Sequence, residues 1–257
     1  MPIQYLITLK KKSMKTYIAA ILFMILCPPF IQAQVKPVAG FPMLGQEAPS
    51  FTAESTQGTI QFPGDYSGKW KILFCHPADF TPVCTSEIME LAAVQDEFEK
   101  FRTQIVVLSV DPLDKHREWV KSMESFSLKG KDKVKIGFPL VSDPNLAVSH
   151  LYGMIHPGLS TSRDVRGVFI IDPENKIRAM YYYPMNVGRN TGEIERTLAA
   201  LQMADKQEVL IPANWQPGGD VLLPFVKSKE EASKLVSSDD PDYYQPVWYM
   251  MYRKGKK

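Results

Sequence analysis

The chain has 257 residues, 45% of them apolar and 23% charged, and this composition suits one globular domain with extensions. Its formal net charge of +2 is concentrated at the start, because residues 1–33 contain four lysines and no acidic residue. Without those four lysines the remainder carries about −2. Neither a disordered chain nor a basic surface that binds nucleic acid is therefore expected.

Residues 1–33 follow the order of a signal peptide. A lysine cluster at residues 10–15 precedes an apolar run from Tyr17 to Cys27, and Ala33 offers a small residue for cleavage. The apolar run is shorter than the roughly 20 residues that span a bilayer. We expect cleavage near Ala33 and export to the periplasm or the extracellular space, with translation starting at Met1 or Met14. A retained N-terminal membrane anchor and a cytoplasmic protein are the alternatives.

After a linker at residues 34–41, a domain is predicted over residues 42–206. Turn-forming residues crowd positions 63–68. Residues 72–74 form a short apolar run that is typical of a buried strand, and Pro77 ends strand geometry because it lacks a backbone donor.

The residues that follow change to helical spacing. From Thr85 onward, apolar residues recur at intervals of three and four, as Ile88, Leu91, Val94 and Phe98 show. Cys84 therefore lies at or near the N-terminus of a helix, where unpaired N–H groups and the helix dipole favour an anion. Helix N-termini and nearby cations lower a cysteine pKa from roughly 8.5 to about 3.5–7.5. A reactive thiolate is predicted here, and a buried structural cysteine is the alternative.

The residues around this thiol carry a specific motif. Pro77, Thr81 and Cys84 match the pattern Pro-x-x-x-Thr-x-x-Cys of the peroxiredoxins, and LFCHPADFTPVCTSE resembles their one-cysteine, peroxiredoxin-6-like branch. The resemblance implies a thioredoxin-like fold and a thiol peroxidase. It also implies that Cys84 is the peroxidatic nucleophile, that Thr81 hydrogen-bonds to the thiolate and the peroxide, and that Pro77 shields the pocket.

Beyond the Cys84 helix, strands alternate with helices and then form a hairpin that is followed by a last helix. This order predicts an α/β architecture, which agrees with the thioredoxin-like fold that the resemblance implies. The predicted strands cover residues 105–110, 138–141, 166–171 and 177–183, and the predicted helices cover residues 113–123, 146–152 and 193–203.

Two arginines match family positions near the thiol. Arg166 begins the strand RGVFIID and aligns with the family arginine that faces the peroxidatic sulfur, while Arg189 in VGRN aligns with a second arginine near the pocket. A guanidinium stays charged and presents several donors, so it can stabilise a thiolate and hold a peroxide oxygen. Glu87 is predicted to orient one of these arginines, or else to be an ordinary acid of the first helical turn. His76 is predicted either to line the pocket or to bond to the backbone.

Residues 207–257 are predicted to form a C-terminal extension. The segment IPANWQPGGDVLLPF and the aromatic run YYQPVWYMMY resemble the extension of the one-cysteine branch, which packs across a partner subunit in that family. A homodimer is therefore expected, although the aromatic residues could instead cover their own domain.

The predicted activity is the reduction of hydrogen peroxide and organic hydroperoxides through a cysteine sulfenic acid. Cys75 is expected to be buried and unreactive, so an external thiol such as glutathione or a thioredoxin-like protein would recycle Cys84. A redox-dependent chaperone or a peroxide-signalling protein is the alternative function. Disulfide exchange is disfavoured because the chain has no Cys-x-x-Cys motif. No cofactor is expected, and no metal site, because the adjacent Cys75 and His76 would point to opposite faces of a strand.

Overall fold

The computed structural model describes residues 41–128, 130, 132–235 and 240–255. The predicted leader at residues 1–33 lies outside these residues, as does nearly all of the predicted linker. Within the described part of the chain, no helix is both long enough and apolar enough to cross a membrane.

A seven-stranded mixed sheet forms the centre of the domain. Its strand order is β2-β1-β5-β4-β3-β6-β7, with β3, β4 and β5 parallel to one another and the remaining neighbours antiparallel. The predicted α/β, thioredoxin-like architecture is therefore confirmed. The strands are β1 (Phe51–Ser55), β2 (Gly58–Phe62), β3 (Trp70–Cys75), β4 (Thr103–Ser109), β5 (Leu140–Ser142), β6 (Arg166–Ile171) and β7 (Ile177–Tyr183).

Strands β3 and β6 lie side by side inside the sheet, and every residue of both strands is buried. Strands covered on both faces read as continuous apolar runs, as WKILFC and RGVFII largely do. Alternate residues of β3 pack into two hydrophobic cores, one on each face of the sheet. Ile72 and Phe74 pack with Cys84 in one core, whereas Leu73 and Cys75 pack in the other. The two described cysteines therefore lie on opposite faces of the sheet.

Five helices connect these strands or follow them. They are α1 (Pro82–Ala93), α2 (Gln95–Lys100), α3 (Leu113–Ser125), α4 (Ala147–Leu151) and α5 (Thr191–Gln207), and a short 3-10 helix spans Gly64–Tyr66. The apolar pattern that continues to Phe98 is divided at Val94, whose ψ of 9° ends α1. Gln95 opens α2 and bonds to the chain at residues 135–137, donating to the Lys135 carbonyl and accepting from the Gly137 amide.

The strand predicted at residues 138–141 begins later, at Leu140. Pro139 has no N–H to contribute to a sheet, and the side chain of Gln57 donates to the Gly137 carbonyl just before it. The hairpin of β6 and β7 has the predicted bounds at both ends.

The described residues of the C-terminal segment form a small three-stranded antiparallel sheet and one helix. Its elements are β8 (Val221–Leu222), α6 (Lys229–Leu235), β9 (Tyr243–Val247) and β10 (Met250–Arg253), with the strand order β8-β10-β9. Trp215 and Val221 pack with Ala199 and Ala200 of α5, which attaches the start of this segment to the α/β domain. Some of the large apolar side chains stay exposed, most of all Phe225 at 72% and Tyr249 at 56%.

Candidate active site

Cys84 is the third residue of α1, directly after the loop that leaves β3. Thr81 is the N-cap with an extended backbone, and Pro82 occupies the first helical position, where its missing N–H costs nothing. The thiol therefore lies in the first turn, at the positive end of the helix dipole. Its exposed fraction is 0%, so the reactivity of Cys84 depends on the groups buried with it.

Arg166 reaches the sulfur from the start of β6. Its Nη1 lies 3.4 Å from the Cys84 Sγ and also donates to a Glu87 carboxylate oxygen at 2.6 Å. Its Nε and Nη2 both donate to the Met185 carbonyl, at 2.9 and 2.5 Å. Hydrogen bonds to Glu87 and to the Met185 carbonyl thus fix the guanidinium, and its Nη1 is directed at the sulfur.

Arg189 lies just before α5 and binds the same carboxylate. Its Nε and Nη2 donate to the two Glu87 oxygens at 2.8 Å each, and its backbone N–H adds a third bond at 2.7 Å. Its Nη1 donates to the carbonyls of Cys75 and Gly167. The guanidinium carbon lies 3.3 Å from the centre of the Phe74 ring. Arg189 therefore fastens α1 to β3 and β6.

The buried side chains of Arg166, Arg189 and Glu87 together carry one net positive charge beside the Cys84 thiol. Burial opposes the ionisation of Glu87, but the hydrogen bonds and charge of Arg189, with Arg166, hold the pKa of Glu87 below its usual range. Burial lowers the pKa of Arg189, and Glu87 opposes that effect. One negative charge on the Cys84 sulfur would bring the net charge of these four side chains to zero.

The remaining predicted site residues lie in the loop between β3 and α1. Pro77 is buried, and Thr81 is half-buried with its hydroxyl donating to the Ala78 carbonyl at 2.9 Å. His76 is fully buried, its backbone N–H donates to the Leu108 carbonyl, and its ring lies 5.1 Å from the Trp119 ring. Burial lowers the pKa of His76 to about 4, so its imidazole is neutral at physiological pH.

Three residues at the site were missed by sequence reasoning. Asp79 and His116 are in contact at 2.6 Å, and Trp119 donates from its indole N–H to the Thr85 hydroxyl at 3.2 Å. His116 and Trp119 are three residues apart on α3 and therefore share one helical face. That spacing, together with an acid between Pro77 and Thr81, is the signal that could have revealed them.

Cys75 lies on the far side of the sheet from this site. It is fully buried, and desolvation, with the nearby Asp164, raises the pKa of its thiol well above the ordinary value. Neither it nor Cys84 forms a disulfide. In the described ranges, no cluster of three or more His, Cys, Asp or Glu side chains could hold a metal ion.

Known proteins resemble this chain over most of its length. Residues 44–180 match the AhpC/TSA family, and residues 200–238 match the C-terminal domain of 1-Cys peroxiredoxin. A peroxiredoxin of Methanosarcina mazei is 46% identical over 83% of this chain and 98% of its own length. The mitochondrial peroxiredoxin of Saccharomyces cerevisiae is 38% identical over 87% of this chain and 84% of its own length.

Solved structures lead to the same assignment. A yeast mitochondrial 1-Cys peroxiredoxin is similar with a TM-score of 0.72 and 35% identity, over 83% of this chain and 99% of that one. Peroxiredoxin 6 of Arenicola marina has a TM-score of 0.72 and 32% identity, over 84% and 99% of the two chains. The chain therefore belongs to the peroxiredoxins, which are thiol-dependent peroxidases, and resembles their one-cysteine, peroxiredoxin-6-like branch.

Proposed function

We propose that Cys84 is the peroxidatic nucleophile and that it reduces hydrogen peroxide and organic hydroperoxides. The thiolate attacks the distal oxygen of the peroxide, an S–O bond forms and the O–O bond breaks. The displaced oxygen leaves as hydroxide or alkoxide and takes up a proton, which yields water or an alcohol. Cys84 is left as a sulfenic acid.

The observation that carries this proposal is the 3.4 Å contact from Arg166 Nη1 to the Cys84 sulfur. In the proposed roles, Arg166 stabilises the thiolate and the charge that develops on the peroxide, because a preorganised cation acts strongly in a buried site. Glu87 orients Arg166, and Arg189 orients Glu87. The Thr81 hydroxyl donates to the Ala78 carbonyl, so its oxygen can accept a hydrogen bond from the peroxide, while Pro77 and His76 line the pocket.

An external thiol is proposed to regenerate the enzyme. The sequence has three cysteines, and Cys27 belongs to the predicted leader. Cys75 packs in the core on the opposite face of the sheet from Cys84, so it is badly placed to resolve the sulfenic acid. Two external thiols would convert the sulfenic acid to a thiol, releasing water and forming a disulfide between them. Glutathione or a thioredoxin-like protein fits, as the yeast 1-Cys peroxiredoxin is resolved via glutathione/thioredoxin systems.

Stopped-flow measurement of peroxide loss tests both steps. Wild type and Cys75→Ser should consume one equivalent of peroxide rapidly and turn over with added thiol, whereas Cys84→Ser should do neither. Dimedone labelling followed by mass spectrometry should locate the sulfenic acid at Cys84. Negligible consumption by the wild type would refute the peroxidase proposal. A disulfide between Cys75 and Cys84, or between two subunits, after one equivalent of peroxide would refute the one-cysteine cycle.

We also propose that the C-terminal segment packs against a second copy in a homodimer. Phe225, Tyr249 and Tyr244 are exposed by 72%, 56% and 39%, and packing against a second copy would remove these apolar groups from water. Sedimentation velocity should show a dimer for the wild type and a monomer for Phe225→Glu combined with Tyr249→Glu. Leu159→Glu, which changes an exposed residue outside this segment, is the control. A monomeric wild type would contradict the proposal.

A further inference from the structure

A buried carboxylate–imidazole pair lies behind the peroxidatic loop and has no role in the reaction described above. The His116 Nδ1 lies 2.6 Å from an Asp79 carboxylate oxygen, Oδ2, and both side chains are 0% exposed. His116 comes from α3, whereas Asp79 lies between Pro77 and Thr81 in the loop. The loop backbone is also held, because the Asp79 N–H donates to Asp111 at 2.6 Å.

The hydrogen-bond partners of this pair decide where its protons lie. The His116 Nε2 faces the Val141 carbonyl at 3.1 Å, and a carbonyl can only accept, so Nε2 carries a proton. The 2.6 Å contact on the other side needs one more proton, placed either on the His116 Nδ1 or on the Asp79 Oδ2. The pair is neutral overall in both cases. In both cases the second Asp79 oxygen, Oδ1, has no proton and remains an acceptor.

That acceptor faces the His76 ring. Asp79 Oδ1 lies 3.6 Å from the His76 Nε2, and no described residue donates to this oxygen or bonds to either His76 ring nitrogen. The charged and titratable groups around His76 are Asp79 and Asp111, which raise its pKa, and His116 and Arg189, which lower it. Burial has the largest effect and leaves the ring neutral, so exactly one ring nitrogen carries a proton.

We propose that Asp79 and His116 are positioning residues that hold His76 as its Nε2–H tautomer and fix the loop that leads to Cys84. The carboxylate oxygen favours the proton on the nearer nitrogen, Nε2, and leaves Nδ1 as an acceptor. Trp119 also contacts both parts of this arrangement, because its ring lies 5.1 Å from the His76 ring at a tilt of 34° and its indole N–H donates to Thr85, the residue after Cys84. For its kinetic consequence, this inference rests on the proposed role of Cys84.

The tautomer can be measured directly and without peroxide. Long-range ¹H–¹⁵N NMR of the histidine rings, with His76→Gln used for assignment, should show a single Nε2–H tautomer for His76 in the wild type. Asp79→Leu removes both carboxylate oxygens and should give a mixture of tautomers. Asp79→Asn should restore the Nε2–H tautomer, because its amide N–H can donate to His116 and its oxygen can face His76.

Kinetics test the effect on the loop. In Asp79→Leu, oxidation of Cys84 by peroxide should slow at least tenfold, whereas alkylation by iodoacetamide, which does not need a positioned peroxide, should change less than threefold. A general loss of folding would slow or speed both reactions together. Asp114→Asn, which alters an exposed acid in the first turn of α3, is the control and should match the wild type.

A wild-type Nδ1–H tautomer would overturn the inference, as would an Asp79→Leu variant with both the Nε2–H tautomer and the wild-type oxidation rate. If Asp79→Leu does not fold, the tautomers of the wild type and Asp79→Asn still decide the matter. Absence of any peroxide consumption by the wild type would refute the proposed function, while the tautomer result would stand separately.

Discussion

Replacing Arg166 by lysine isolates the geometric part of its role from its charge. The guanidinium makes four contacts: one with the Cys84 sulfur, one with Glu87 and two with the Met185 carbonyl. A lysine keeps the positive charge but presents a single ammonium on a flexible stem, so it cannot bond to Glu87, the sulfur and the Met185 carbonyl at the same time. The variant should therefore lose the N–H that is directed at the sulfur while the local net charge stays the same.

The size of the effect follows from the contact that is lost. A hydrogen bond to a charged group contributes about 1.5–3 kcal/mol, and about 1.4 kcal/mol corresponds to a tenfold change in rate. If the contact is made fully in the transition state, the rate constant for oxidation of Cys84 should fall by about 10- to 150-fold.

Stopped-flow oxidation at equal peroxide concentration measures this rate constant. Arg178→Lys is the matched control, because Arg178 also forms a paired contact, with Asp205 at 2.7 and 2.8 Å, but on the surface and away from the thiol. It should react at the wild-type rate. If Arg166→Lys is folded and oxidises within threefold of the wild type, then the directed N–H is unimportant and the proposed role of Arg166 reduces to its charge.

Three further predictions concern stability and processing. Glu87→Gln should lower the free energy of unfolding in urea by about 3–5 kcal/mol, because it leaves two buried arginines without their anion. The pKa of Glu87 is depressed in the folded protein, so the stability that its carboxylate contributes should be complete at neutral pH and should disappear as acid protonates it. An equal loss of stability at pH 3 and pH 7 would contradict this. Burial raises the pKa of Asp164 to about 8 in the folded protein. Asp164 should therefore destabilise the folded state increasingly as the pH rises from about 4 to 8. Asp164→Asn should raise the thermal midpoint more at pH 9 than at pH 5. Intact-mass measurement of natively expressed protein should place the mature N-terminus near Gln34, and an intact Met1 or Met14 would refute export with cleavage after Ala33.

Sequence patterns predicted the bounds of those elements that are ended by residues adjacent to them in the sequence. The hairpin of β6 and β7 has the expected bounds because an apolar β-rich run ends at a turn that begins with Asp172. The division of the helix at Val94 was missed because its cause is distant: Gln95 bonds to the chain 40 and 42 residues further on. A side chain that bonds to a remote backbone leaves no periodic signal in its own segment.

The candidate site shows the same contrast. The placement of Cys84 in a first helical turn could be predicted from Pro77, Thr81 and the spacing that follows. Glu87 was expected to orient one arginine, but it binds two, because β6 and the residues before α5 meet only in the folded chain. The pairing of Asp79 with His116 joins residues 37 positions apart, so neither segment taken alone indicates that these two side chains meet.

The placement of Cys75 and Cys84 on opposite faces of the sheet gives the protein two thiols that report different events. Cys84 is in the first turn of a helix that follows a loop, whereas Cys75 is in a central strand that is hydrogen-bonded on both sides. A reagent reaches Cys75 only when that strand separates from its neighbours, so its labelling rate in a Cys84→Ser background measures the opening of the sheet. Slow labelling of Cys75 by an alkylating reagent in the absence of peroxide would therefore report how often β3 separates from its neighbours, which the thiol of Cys84 does not report.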